Sequence, residues 1–245
     1  KNGEELFALP VTDYPDLIQT QKELKLADQL FSLYVDVLST LNGWKGVLWV
    51  DVTKMIGEMN EKIEAFSNRF KKLPARLREY SAYKTLKLQI EDFQLILPLL
   101  QEFTKESIRD RHWEEVMEIT HSTFDFAGPE FRLQSLLDIN LVAHKDEIEE
   151  VTDGADKQLK IERNLEDIEE RWRTAKFVFR EWKGRSIQIL QGTVGVMEEL
   201  EEAQMNLQAM LTMRHVGPFR ERAQELLQTL SETSDTLERW LKVQM

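Results

Sequence analysis

Apolar residues along this chain fall mostly three and four apart, the spacing that gathers them on one face of an α-helix. From Ile18 to about Trp44 the stripe runs through Leu24, Ala27, Phe31, Tyr34 or Val35, Leu38 and Leu41, and Asn42-Gly43 is expected to stop it. A second helix is predicted from about Val47 to Phe70, with Met55, Met59, Ile63 and Phe66 on one face and Pro74 marking the break after it. A third begins near Ala75 and carries Leu86, Ile90 and Phe93, and Pro98 inside it predicts a kink or break. Ser107 is the expected cap of a short helix that ends near His121. Before all of these, Leu6 to Leu17 holds Pro10 and Pro15 and reads as extended.

Phe124 to Ala143, with Gly128-Pro129, is the least regular stretch. A long charged helix is predicted after it, from about His144 to Ala175. Its residues Ile161, Leu165, Ile168, Trp172 and Ala175 alternate spacings of four and three, as in a coiled-coil seam. Gly154 and Gln158 fall on the upstream continuation, where the seam weakens. The pattern then changes. Phe177-Val178-Phe179-Arg180-Glu181-Trp182 and Ser186-Ile187-Gln188-Ile189-Leu190 are rich in aromatic and branched residues and flank Lys183-Gly184-Arg185, which predicts a β-hairpin. Phe177, Phe179, Trp182, Gly184, Ile187 and Ile189 are its candidate defining residues. Two more helices follow. The first carries Met197, Leu200, Gln204, Leu207 and Leu211; the second, after Gly217-Pro218, carries Ala223, Leu226, Leu230, Thr233, Leu237 and Trp240. The expected fold class is mainly α: elongated antiparallel helical bundles with one small β-hairpin near residues 177–190. The expected organisation is an extended lead-in over 1–17, a first bundle over 18–121, an irregular connection over 122–143, and a second bundle with the hairpin over 144–245.

Composition supports helix: 31% of the 245 residues are charged, with only 10 glycines and 6 prolines. No cysteine is present, which excludes disulfides, thiolate metal ligands and a cysteine nucleophile within this chain. The formal net charge of −12 is spread diffusely, which argues against a nucleic-acid partner. No apolar run reaches the roughly 20 residues a membrane helix needs, so no membrane partner is expected. The chain opens without Met and a helical pattern is still running at Met245, so both ends read as fragment boundaries.

The motifs of catalysis are missing. No phosphate-binding G-x-x-x-x-G-K-[ST] loop occurs, and Gly192-Thr193-Val194-Gly195 reads as a helix start with Thr193 as cap. His112, His121, His144 and His215 show no metal-ligand spacing. Carboxylate pairs such as Glu114-Glu115 and Glu169-Glu170 are adjacent on helices and do not face each other. No catalytic residue, cofactor or metal site is therefore expected.

One segment is specific. Ser107-Ile108-Arg109-Asp110-Arg111-His112-Trp113 resembles the Met-Arg/Lys-x-Arg-His-Trp signature of the N-terminal linker region of dynein heavy chains. Arg109, Arg111, His112 and Trp113 match, and Ile108 replaces the usual Met, a volume-conserving apolar change. Phe70 to Pro74 with Ala82-Tyr83, Leu97-Pro98-Leu99-Leu100, the hairpin ending in Ile189-Leu190-Gln191-Gly192, and Leu241-Lys242-Val243-Gln244-Met245 resemble further pieces of that region in order. Leu6-Phe7-Ala8-Leu9-Pro10 with Tyr14-Pro15 looks more like axonemal than cytoplasmic members.

The resemblance implies a mechanical role. In dyneins the linker lies across an AAA+ ring and bends with its nucleotide state, producing a power stroke along microtubules. ATP hydrolysis belongs to AAA+ modules C-terminal to this stretch. The implied partners are the AAA+ ring of the same heavy chain and other dynein subunits, and the implied location is the axoneme of a cilium or flagellum. The irregular stretch 124–143 and the hairpin are the two candidates for a bend. Arg111, His112 and Trp113 read either as a contact surface or as stabilisers of a bundle junction. We carry the second reading forward, because Trp113 shares a helix face with Val116 and Met117. A spectrin-like or tail scaffold that only joins subunits or cargo fits the heptad seams equally well, and an enzyme with an unrecognised helical site is the remaining alternative.

Overall fold

The computed structural model describes residues 4, 6–8 and 14–244. The extended lead-in expected over 1–17 lies largely outside them, but its last residues are helical, because Pro15 opens the first helix. The chain divides into two compact units, one of Lys1–Glu106 with Trp113–Glu149, the other of Ser107–His112 with Glu150–Met245.

The first unit is built on α1 (Pro15–Lys45), α2 (Trp49–Lys71) and α3 (Ser81–Phe103), with a 3-10 turn at Ala75–Glu79. The stripes predicted for α2 and α3 are the buried ones: Met59, Ile63 and Phe66 meet a core that includes Leu86, Ile90 and Phe93. The α1 stripe requires correction. Its buried residues are Leu30, Leu33, Val37, Leu41 and Trp44, whereas Leu24, Phe31 and Val35 are exposed. This helix carries two apolar faces, and spacing alone does not say which one the core takes. Asn42-Gly43 does not stop it, since the helix runs on to Lys45 and buries Trp44 against Phe93 at 5.7 Å between ring centroids.

The kink or break expected at Pro98 does not appear as a break: α3 continues to Phe103. Leu97, Leu99, Leu100 and Phe103 are all buried there, and their burial offsets the missing hydrogen bond, whose loss costs about 3 kcal/mol in an exposed helix. The irregular stretch holds a short helix, α5 (Leu133–Leu137), and a 3-10 turn at Leu141–His144. It is pinned to the loop before α2. The Trp49 N–H donates to the Phe131 carbonyl at 2.9 Å and the Leu133 N–H to the Val47 carbonyl at 3.0 Å. Between α3 and this stretch runs α4 (Asp110–Ile119).

In the second unit, α6 (Lys145–Thr174) contributes from Glu150 onward and is followed by β1 (Val178–Trp182), β2 (Arg185–Gln191), α7 (Thr193–Leu211) and α8 (Arg220–Gln244). The α6 seam is buried at Ile161, Leu165 and Ile168, half-buried at Trp172 and exposed at Ala175. Leu200, Leu207, Ala223, Leu230 and Leu237 complete this core. The chain folds back on itself: Gln204 donates to the Leu230 carbonyl at 3.4 Å, and both amide atoms of Gln244 bond the Leu190 backbone at 3.1 Å. Arg222 holds Glu169 through two hydrogen bonds, of 2.6 and 2.5 Å, and pulls that carboxyl below the usual carboxylate range. Thr193 is the first residue of α7 rather than its cap; Gly192 takes the cap position at φ +69°, where a side chain would be strained.

The predicted hairpin is present, and the fold class is mainly α with this one antiparallel pair among the described residues. Its turn is shorter than expected. Lys183 and Gly184 alone form it, at φ +48° and +68°, the signature of the two-residue turn whose twist suits a hairpin. Arg185 is already in β2, opposite Trp182, and the register shifts between Glu181 and Trp182. Gly184→Val should cost the hairpin about 1–2 kcal/mol. The measurement is amide exchange, which should quicken across 178–191 while the exchange of α2 and α3 stays unchanged.

Candidate functional site

The four signature residues divide between the two units. Ser107 to His112 belong to the second, where they meet α6. The Ser107 hydroxyl does not cap α4, which begins at Asp110; it donates instead to Asp156 Oδ1 at 2.6 Å. Arg109 reaches Glu162 at 3.2 Å. The Arg111 Nε–H donates to Gln158 Oε1 at 2.7 Å, and its guanidinium lies 5.4 Å from the Phe219 ring centroid. His112 is 1% exposed. Its Nδ1 accepts the Arg109 backbone N–H at 3.0 Å, so Nε2 carries the proton and donates to Gln158 Oε1 at 3.1 Å. Burial holds this imidazole below its ordinary 6.5, and Arg111 and Arg109 lower it further against the opposing pull of the Gln158 hydrogen bond.

Trp113 belongs to the first unit and is 8% exposed. It stacks on Phe103 at 4.9 Å between centroids and meets Trp49 and Phe131 edge-on at 5.7 Å each. Phe124 and Phe126 close the cluster at 6.0 and 6.3 Å. Val116, one turn along α4, is buried beside it.

The hairpin candidates lie on two faces. Phe179 stands opposite Leu190 and its ring is 6.1 Å from that of Trp240 on α8. Phe177, just ahead of β1, lines the same apolar trough. Trp182 is half-buried beneath two cations, the Lys183 ammonium at 4.6 Å and the Arg185 guanidinium at 5.5 Å. Ile189 is half-buried opposite Arg180, and Ile187 is exposed within the register shift.

Sequence reasoning passed over the residues that receive the signature. Gln158 was visible only as a flaw in the α6 seam, yet its amide oxygen takes both Arg111 and His112. Gly154, the other flaw, lies under His215: a Cβ there would meet the imidazole at 3.4 Å. Phe124, Phe126 and Phe131 sit in the stretch without period, where alternation gave no signal. One cavity of the first unit, about 680 Å3, is lined by Ser122, Asp125, Glu130 and Asp138 among others. Among the described residues no group of three or more His, Asp or Glu could hold a metal, and no helix is long and apolar enough to cross a membrane.

Two outcomes follow from the clusters. Because folding lowers the affinity of His112 for a proton, the unfolded chain protonates first as the pH falls. The melting temperature should therefore hold above pH 6.5 and fall progressively below it, and His112→Gln should flatten that slope when melts are compared between pH 7 and 5. Trp113→Ala removes the centre of the aromatic cluster and should destabilise the first unit by about 3–5 kcal/mol, read as an earlier transition in chemical denaturation.

A profile of the family described as dynein heavy chain, N-terminal region 2, matches residues 17–245. The chain is 44% identical over 245 residues to the dynein gamma chain of the flagellar outer arm of Chlamydomonas reinhardtii, covering 99% of this chain and 5% of that one. It is 37% identical over 245 residues to human dynein axonemal heavy chain 8, again over 99% and 5%. To rat dynein axonemal heavy chain 5 it is 34% identical over 244 residues, 99% of this chain and 7% of that one. The chain thus spans a small fraction of these relatives' length, and the match takes in the signature, the hairpin and α1 through α8. It belongs to the dynein heavy chain family, as a stretch of the N-terminal region similar to that of flagellar and axonemal members.

Proposed function

We propose that this stretch is the mechanical linker of an axonemal dynein motor, carrying nucleotide-driven changes of the AAA+ ring of the same heavy chain into a power stroke along microtubules. The observation that carries the reading is where the signature spends its polar groups. Arg109, Arg111 and His112 are engaged by Glu162 and Gln158, and Trp113 is engaged by five aromatic rings. Such residues stabilise a body that carries load and leave no group for chemistry. The nucleotide sites belong to the ring, and this stretch itself binds none. The irregular stretch near 124–143 and the hairpin remain the two candidate places for a bend.

The test uses a complete heavy chain assembled into its motor. Gln158→Leu deprives Arg111 and His112 of their shared acceptor while keeping the volume of the side chain. Microtubule gliding should slow several-fold with basal ATP hydrolysis retained. Unchanged gliding together with loss of subunit assembly would instead identify a static scaffold. In parallel, the isolated 245-residue chain should give no saturable ATP signal in calorimetry; micromolar affinity would place a nucleotide site in this stretch and overturn the proposal.

A further inference from the structure

The hairpin is a two-stranded sheet whose two outer edges differ. On β2 the Leu190 N–H donates to Gln244 Oε1, and the Leu190 carbonyl accepts from Gln244 Nε2, both at 3.1 Å. A side-chain amide thus fills one rung of that edge, as a neighbouring strand would. The same bonds fix the pleat. Leu190 turns its backbone groups away from β1, so it makes no ladder bond to Phe179 opposite it. Phe179 then also points its N–H and C=O outward, and so does Glu181 two residues on. Among the described residues no partner meets these groups, and β1 keeps an open edge. Two strands alone are marginal in water, and an unpaired edge is a template for another strand.

The charge around this edge is the reverse of the chain's. Residues 176–185 hold the cations Lys176, Arg180, Lys183 and Arg185 against Glu181 alone, in a chain of net charge −12. All of these cations are exposed, and among the described residues none lies in an ion pair. Lys183 and Arg185 are held over the Trp182 ring, at 4.6 and 5.5 Å, which places them without neutralising them. Arg180 lies on the face of β1 opposite to Phe179, because strand side chains alternate. On the Phe179 face, toward α8, Phe177, Phe179, Leu237 and Trp240 are among the lining of a trough of about 360 Å3. The edge therefore combines backbone donors and acceptors with cations on one face and an apolar recess on the other.

We propose that the open edge of β1 takes an extended acidic peptide as a third strand, one in which acidic residues alternate with apolar ones. Backbone pairing at Phe179 and Glu181 supplies affinity, and the two faces select the sequence. Side chains on one face of the added strand meet Arg180, those on the other enter the trough, and alternation serves both. A second copy of this chain is a poor occupant, since antiparallel pairing of two β1 strands about their midpoint sets Arg180 against Arg180. The net charge of −12 disfavours a nucleic acid. Strand addition at this edge is independent of the power-stroke reading.

The probe is a fluorescein-labelled octapeptide of alternating Glu and Val, titrated against the full heavy chain by anisotropy. An octapeptide of the same composition, with its Glu and Val in two blocks, should bind several-fold more weakly. Arg180→Glu should weaken binding of the alternating peptide about tenfold, the scale of a charge reversal across an interface. Two changes at one position separate backbone from charge. Glu181→Val removes the lone carboxylate of the segment and should tighten binding. Glu181→Pro removes the same carboxylate together with an outward N–H and should weaken it, while the ladder to β2 is spared. Amide-exchange protection at Ile189 checks that the hairpin persists. The peptide reads the same bonds without any change to the protein. A strand at an edge uses alternate N–H groups, so of two peptides, one N-methylated at every Val and one at every Glu, one should lose binding and the other keep it. Equal behaviour of the two methylated peptides would overturn strand addition, as would a block peptide that binds as tightly. Unchanged affinity in Arg180→Glu, or displacement of the peptide by an oligonucleotide at lower concentration, would overturn the acidic-peptide assignment.

Discussion

The polar half of the signature depends on one hydrogen bond, from the Arg109 backbone N–H to Nδ1 of His112. It fixes the tautomer, because a nitrogen that accepts cannot also carry a proton. Nε2 must then donate, and the acceptor in reach is Gln158 Oε1. The same oxygen faces the Arg111 Nε–H, which can only donate, so the orientation of the Gln158 amide is fixed as well. Both lone pairs of one oxygen are used. A carboxylate at that position would draw Arg111 more strongly but would also stabilise a charged imidazole. An amide satisfies both donors while leaving a buried histidine neutral between two arginines.

Trp113 follows His112 directly, yet the two have different company. Successive residues on a helix point about 100° apart, so adjacent side chains cannot share a contact surface. The signature therefore reads as two instructions at the start of one short helix. His112, with Arg109 and Arg111, is addressed to α6; Trp113, with Val116, is addressed to aromatic rings from α3, from the start of α2 and from the irregular stretch. Aromatic pairs in edge-on and offset geometry add about 0.5–1.5 kcal/mol each beyond the area they bury. The Trp49–Phe131 backbone bond brings two of those rings into place, which explains how a stretch without period can still be ordered.

Helical period was legible where a helix has one apolar face. For α2, α3 and α8 the predicted stripes are largely the buried ones. It misled at α1 because two faces compete and the more regular series, through Leu24 and Phe31, is the open one. The hairpin was legible because β-branched and aromatic residues cluster on both sides of a glycine, although the turn proved one residue shorter than the Lys183-Gly184-Arg185 loop. Pro98 does not break its helix: its local penalty is real, but the four buried apolar side chains around it outweigh one hydrogen bond. The partner of the signature was not legible. A glutamine in a heptad seam looks like a defect until its hydrogen-bond donors, some 46 residues away in sequence, are known.

What ties the second unit together is directional as well as apolar. An exposed ion pair contributes less than about 1 kcal/mol, and the Arg222–Glu169 pair is no exception in kind. Its geometry matters more than its energy. Two parallel hydrogen bonds from a planar guanidinium fix the rotation of α8 against α6, where leucine packing alone tolerates sliding. Gln244 does the same at the far end of α8, since an amide that both accepts from and donates to Leu190 permits one register of β2. Gln204 adds a third such point against the Leu230 carbonyl. Apolar burial makes this unit cohere, and these few polar contacts determine which helix turn faces which. A body proposed to transmit displacement needs the second property more than the first, because load lost to sliding between helices does not reach the next element.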